Sequence, residues 1–120
     1  MSKNEQLVPI LAELLNKNID IQGALVATSD GIAISSLNLN EKSNRLAAMA
    51  SACLGLGKQV ISTVNSGVMN EITVSGNKGQ VFVYSISTKA VLVVVTKETP
   101  NVAMVNWESH KTVSHLSEYV

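Results

Sequence analysis

Glu41–Asn65, EKSNRLAAMASACLGLGKQVISTVN, decides how the rest of the chain is read. It has the length and periodicity of one long helix, yet most of its side chains are small. At about 100° per residue, Leu46, Ala50, Cys53, Gly57, Val60, Ile61 and Val64 share a face that reads as the core stripe. The opposite face carries Asn44, Ala48, Ser51, Gly55, Gln59 and Ser62 and no charge. A solvated helix places Lys and Glu there. Met49, Ala52 and Leu56 form an apolar flank beside that face, near Arg45 and Thr63. Gly55 and Gly57 each cost about 1 kcal/mol of helix propensity relative to Ala. Close approach of another backbone is the usual offset. The helix is therefore expected to lie between its own sheet and a second protein surface.

Outward from this helix the chain divides cleanly. Upstream, Leu7, Ile10, Leu11, Leu14 and Leu15 give a helical stripe. Ser2 and Glu5 have capping-box spacing. Pro9 would then fall beyond the first turn, so regular helix is expected from about Gln6 after a frayed lead-in. Gly23–Ser29 reads as a strand, Asp30-Gly31 as a hairpin turn, and Ile32–Ser36 as the return strand. Asn40 is placed to cap the long helix. Downstream, Val68–Ser75 alternates Val68, Ile72 and Val74 against Met69, Glu71 and Thr73. Gly76–Gly79 turns the chain into a strand over Gln80–Ile86. Ala90–Thr96, AVLVVVT, is apolar on both faces and so belongs in the centre of a sheet. Thr99-Pro100 opens a last helix over Asn101–Glu118, with Pro at its first position. Val102, Val105 or Met104, Val113 and Leu116 are expected to face the sheet. Helix, two strands, helix, three strands and helix make an α+β domain over residues 1–120. Its five-stranded antiparallel sheet is covered on both faces.

Composition narrows the function. Nine basic residues balance nine acidic ones, which argues against nucleic acid or an anionic membrane as the main partner. No stretch has the apolar length of a membrane span, and the N-terminus lacks the charged start and apolar run of a signal peptide. A cytoplasmic location is expected. One Cys excludes an internal disulfide and a multi-cysteine metal site. Cys53 falls in the core stripe and reads as a buried thiol.

No catalytic set emerges. His110 and His115, five apart, point about 140° away from each other on a helix, unlike the i, i+4 pair of a helical metal site. Gly76-Asn77-Lys78-Gly79 is Gly-rich, but no Lys-Ser or Lys-Thr and no helix follow it, so it is a turn and not a phosphate cradle. Asp20 and Asp30 have no carboxylate partner at a useful spacing. No enzyme activity, cofactor or metal is expected.

The element order, the chain length, the Gly23–Ser36 hairpin GALVATSDGIAISS and the small-residue second helix resemble the Roadblock domain. That family includes dynein light chains of the Roadblock type and bacterial regulators of Ras-like GTPases such as MglB. The likeness runs from about Leu7 to Leu116. The last helix departs from many bacterial members, with Met104, Asn106 and His110 where those have a Gly and several Arg.

The resemblance implies a profilin-like α/β/α sandwich with strand order 2-1-5-4-3, the long helix on one face and the other two helices on the opposite one. It also implies a homodimer. The third strand would pair with its two-fold mate and the long helices would lie side by side. The interface would use Arg45, Met49, Ala52, Leu56 and Thr63 of the helix with Met69, Glu71 and Thr73 of the strand. Asn44, Ala48, Ser51, Gly55, Gln59 and Ser62 would face a small Ras-like GTPase. Arg45 is the single Arg and invites comparison with the arginine finger of GTPase activators. The family, however, is thought to act by reshaping the GTPase, without donating a residue. Two other readings remain open: a light-chain-type subunit of a larger complex, and a profilin-like small-molecule sensor. The sensor reading has only Phe82, Tyr84, Trp107 and Tyr119 as aromatics to line a pocket.

Overall fold

The computed structural model describes residues 2–120. Its elements are α1 (Lys3–Lys17), β1 (Ile21–Thr28), β2 (Ala33–Leu37), α2 (Ser43–Thr63), β3 (Ile72–Gly76), β4 (Gly79–Ser85), β5 (Ala90–Thr96) and α3 (Val102–Leu116), with a 3-10 turn over Asn40–Lys42 before α2. The five strands form one sheet in the order β2-β1-β5-β4-β3, with every neighbouring pair antiparallel.

Strand alternation divides the core into two layers. From β1, Ala24 and Val26 point into one layer and Leu25 and Ala27 into the other; from β5, Leu92 and Val94 oppose Val91 and Val93. The first layer is closed by Leu7, Ile10, Leu11 and Leu14 of α1 with Val105 and Leu116 of α3. The second is closed by Ala47, Ala50 and Leu54 of α2. The doubly apolar β5 is thus central, and one helix covers one face while two cover the other.

The helix starts differ from their expected places for local reasons. α1 begins at Lys3, not near Gln6, because the Ser2 hydroxyl accepts the Glu5 N–H at 3.2 Å. Pro9 sits within the helix on its exposed side, where the carbonyl left without a donor can take one from water. Asn40 does not cap α2. It lies at φ +55° and opens the 3-10 turn. The Ser43 hydroxyl, 3.0 Å from the Asn40 carbonyl and 2.9 Å from the Ser36 hydroxyl, ties the start of α2 to β2. Pro100 is not the first residue of α3. Asn101 is the N-cap, its side chain accepting the Met104 N–H at 3.1 Å. Asn is a better cap than Thr, and the Asn101 N–H is itself held by the Asp20 carboxylate at 2.9 Å.

Ser29–Gly31 turn the chain between β1 and β2, closed by the Thr28 N–H on the Ile32 carbonyl at 2.8 Å. The Gly31 N–H donates to the Thr28 carbonyl at 3.0 Å, and Gly31 takes φ +98°, the pattern of a turn closed by a bulge at glycine. β3 is shorter than expected. Asn65 at φ +56° and Gly67 at φ +84° end α2 in a left-handed hook, with the Ser66 N–H on the Ile61 carbonyl at 3.0 Å. The hook keeps Val68–Asn70 out of the sheet. Met69 then turns back against α2 and does not share a face with Glu71, which reaches His110 of α3 at 3.3 Å on the opposite side of the sheet.

Asp20 joins β1, β5 and α3. Besides Asn101 it meets Lys97 at 3.3 Å. The Asn101 N–H is the main cause holding its carboxyl below the usual 3.8, with Lys97 adding to it against an opposing effect of burial. A depressed carboxylate contributes stability that is whole above the unfolded value and disappears as pH falls through the folded one. Asp20→Asn should therefore be less stable than the parent at neutral pH. Urea titrations across pH should show the gap closing below about pH 4.

Candidate functional site: the free side of α2 and the β3 edge

The orientation of α2 follows from two close approaches. A Cβ added at Gly57 would come within 2.5 Å of Ile72 Cδ1 and 2.7 Å of Met69 Sδ. The missing side chain lets β3 and its lead-in close against the helix. Near the other end, a Cβ on Gly31 would lie 3.1 Å from the Ala48 Cα, and the Ser51 hydroxyl donates to the Ser29 carbonyl. The hairpin turn thus packs beneath the small residues Ala48 and Ser51.

Between its tie to β2 at Ser43 and its contact with β3 at Gly57, α2 advances about 21 Å at 1.5 Å per residue. Four strand spacings amount to about 19 Å. The helix thus crosses the whole sheet by Gly57, and its last turns run past the β3 edge. This corrects the expected core stripe. The buried positions are Ser43, Ala47, Ala50 and Leu54, a stripe rotated by roughly 60° at 100° per residue from the one expected. Val60 and Val64, assigned to the core, are 59% and 62% exposed, because no sheet lies under them. Cys53 is half-buried at the margin of the stripe.

The residues singled out as partner-facing fall into three groups. The Gly31 turn packs on the backbone of Ala48, whose side chain is exposed, and the half-buried Ser51 donates to Ser29, so only Ser51 has a side-chain partner in its own chain. Asn44, Gly55, Gln59 and Ser62 are exposed, and a Cβ at Gly55 would touch nothing within 4 Å. The flank is also open: Arg45, Ala52 and Thr63 are exposed, with Met49 at 52% and Leu56 at 61%. With Val60, the flank makes an apolar stripe along the free side of α2. In sequence Val60 continues the core periodicity, which hides its place in this stripe.

β3 lies at the sheet edge, so every second residue turns its N–H and C=O away from β4. Thr73 is exposed, Glu71 half-buried in its pair with His110, and Met69 half-buried against α2. Beyond His110, α3 is held to β4 by Tyr84, whose hydroxyl donates to Asn106 Oδ1 at 2.6 Å and whose ring meets the His110 ring edge-on at 5.1 Å. Burial pushes the Tyr84 hydroxyl up to about 12.

An open cleft of about 790 Å³ lies between the first half of α2 and the sheet. Leu39, Leu46, Met49, Val81 and Val95 supply its apolar lining, and Lys42 and Arg45 lie at its rim. Among the described residues no group of three or more His, Cys, Asp or Glu is placed to hold a metal ion. His115 lies 3.9 Å from Glu118 and His110 beside Glu71, so the two histidines have separate partners.

This order of strands between one helix and two is the profilin-like architecture. Acanthamoeba castellanii profilin IA superposes with a TM-score of 0.64 at 12% identity, over 92% of this chain and 95% of that one. The chain belongs to the Roadblock/LC7 domain family, whose model matches residues 8–96. A Roadblock/LC7 domain from Streptomyces avermitilis matches with a TM-score of 0.86 and 20% identity, over 92% of this chain and 93% of that one. The gliding protein MglB of Thermus thermophilus matches at 0.84 and 17%, over 99% and 91%. No curated sequence matches significantly.

The two helical glycines should behave oppositely. Gly57→Val forces Ile72 and Met69 apart and should cost about 1–3 kcal/mol. Gly55→Ala, with open space around it, should recover up to about 1 kcal/mol of helix propensity in the isolated protomer. Urea unfolding at low protein concentration checks both signs.

Proposed function

We propose that this chain is a non-enzymatic, cytoplasmic Roadblock-type regulator or scaffold. It works as a homodimer that presents its paired α2 helices to a small Ras-like GTPase. The observation that carries the reading is the free side of α2. An uncharged face and an apolar stripe lie side by side on one helix, next to an unpaired strand edge. Water alone favours charge at such positions, and an open edge is a liability unless covered. Pairing β3 with its two-fold mate covers the edge and brings the Met49–Leu56 stripes together. Asn44, Gly55, Gln59 and Ser62 are left outward for the GTPase, whose identity as a class comes from the family resemblance. Regulation would act by biasing the switch loops of the GTPase towards one arrangement. Arg45, beside the cleft and on the mate-facing flank, has the position of an interface residue more than of a finger. Among the described residues no helix is long and apolar enough to cross a membrane.

The cleft beside α2 is the one feature that favours the alternative of a small-molecule sensor. The two readings separate on oligomerisation, because a mate on the α2 flank would cover the cleft.

Gly55→Glu should leave the protomer folded, since its surroundings are open, and should abolish capture of the GTPase, dimerisation, or both. Sedimentation and affinity capture from the native cell, with a GDP or GTP analogue added, read the two losses separately. Retention of a Ras-like GTPase by the parent in one nucleotide state supports the proposal. Retention of a large chain and no GTPase supports a light-chain role instead. Both interactions intact in Gly55→Glu removes the partner-facing role of that face.

A further inference from the structure

We infer that the β2 edge is a seat for an extended segment of a partner protein, which adds to the sheet as a further strand and carries a small residue between two apolar ones. The inference does not rest on the homodimer proposed above. Whether or not β3 finds a mate, β2 stays at the outer margin of the sheet.

β2 pairs only with β1. Which of its backbone groups are free follows from the hairpin. The Thr28 N–H donates to the Ile32 carbonyl at 2.8 Å, and on the other side of β1 the Ser29 N–H donates to the Lys89 carbonyl at 2.8 Å. Inward and outward groups alternate along a strand, so Val26 and Ala24, like Thr28, are turned towards β2. Their partners Ser35 and Leu37 spend their N–H and C=O inside the sheet. Ser36, between them, turns both groups outward.

Natural edges are guarded by charge, by Pro, by bulges or by a covering element. β2 reads AISSL and has neither charge nor Pro. Its bulge lies between Ala33 and Ser35 and guards the hairpin end alone. The ground beside the other end is apolar. α1 packs against β2 and turns Ile10, Glu13, Leu14 and Lys17 towards α3. At about 100° per residue its opposite flank is Asn4, Val8, Ala12 and Leu15, without a charge. Val8, Ala12 and Leu15 are half-buried, as are Ile34 and Leu37. Leu15, Ile34 and Leu37 form the margin of the α1–α3 core.

The two faces of the seat therefore differ, and the difference sets the chemistry of the occupant. On the α2 face the Ser36 hydroxyl is tied to Ser43 at 2.9 Å, which puts a helix end close to the anchor point. A strand residue opposite Ser36 exchanges two backbone hydrogen bonds with it and points its own side chain to that face, so it must be small. The residues on either side of it point to the α1 face, where Leu15, Val8 and Leu37 favour apolar side chains.

The test selects ligands and then reads their register. A phage-displayed library of random peptides of about twelve residues is panned on the full chain, and the enriched sequences are synthesised. Peptides with apolar residues flanking a small one are expected. Leu15→Glu and Val8→Glu should each raise their Kd by about tenfold or more, with circular dichroism checking the fold, while Ser114→Asp on the outer side of α3 leaves it unchanged. Hydrogen exchange supplies the readout that a side-chain contact alone would not move. Bound peptide should slow the Ser36 amide by at least about tenfold. N-methylation of the peptide residue opposite Ser36 should abolish binding, and N-methylation of the next residue should not. Peptides that bind without protecting Ser36, or a library in which nothing is enriched over panning on the Leu15→Glu chain, overturn the inference. So does a Ser36 amide that is already protected without peptide and loses that protection on dilution, since another copy of the chain then covers the edge.

Discussion

The placement of α2 depends on two close approaches. Gly57 admits Ile72 and Met69 at one end, and the Gly31 turn slides under Ala48 at the other. Between these contacts the helix is pinned across the strands. With its position set, the buried stripe must be Ser43, Ala47, Ala50 and Leu54, and everything on the far side must face outward. The overhang past β3 follows from the same geometry, since a 21-residue helix outruns a five-stranded sheet. Interior packing thus dictates which side chains are left for another molecule.

The opposite face of the sheet has a different character. α1 and α3 close a larger core there, and α3 is fastened by polar contacts: Tyr84 to Asn106, His110 to Glu71, and Asp20 to its N-cap. Glu71 immediately precedes β3, so the edge strand is held from both sides of the sheet, by Gly57 above and His110 below. An edge held in this way has little ordering entropy left to lose if another strand pairs with it.

Much of this was legible in the sequence. β5 could be placed at the centre because AVLVVVT has no polar face, and the class of fold followed from element order and short turns. The tilt of α2 was not legible. Val60 and Val64 continue an apolar period, and periodicity alone cannot reveal that the sheet beneath them has ended. Nor could Ser51 be separated from Ala48 and Gly55. All three look alike in sequence, yet only Ser51 has a side-chain partner in its own chain. Two cap signals compete within a few residues at Thr99-Pro100 and Asn101, and periodicity alone does not choose between them. Val68 continues the apolar alternation of β3 in sequence, while the left-handed residues Asn65 and Gly67 that divert the chain act through backbone geometry.

Trp107 is the single tryptophan, and it stands 62% exposed on α3, with the Lys111 ammonium 5.8 Å from its ring centroid. The indole is already in water in the native state, and the whole thickness of the sheet separates it from α2. Intrinsic fluorescence will consequently be a poor witness for this molecule: emission colour changes little on denaturation and stays silent when something settles on the other face.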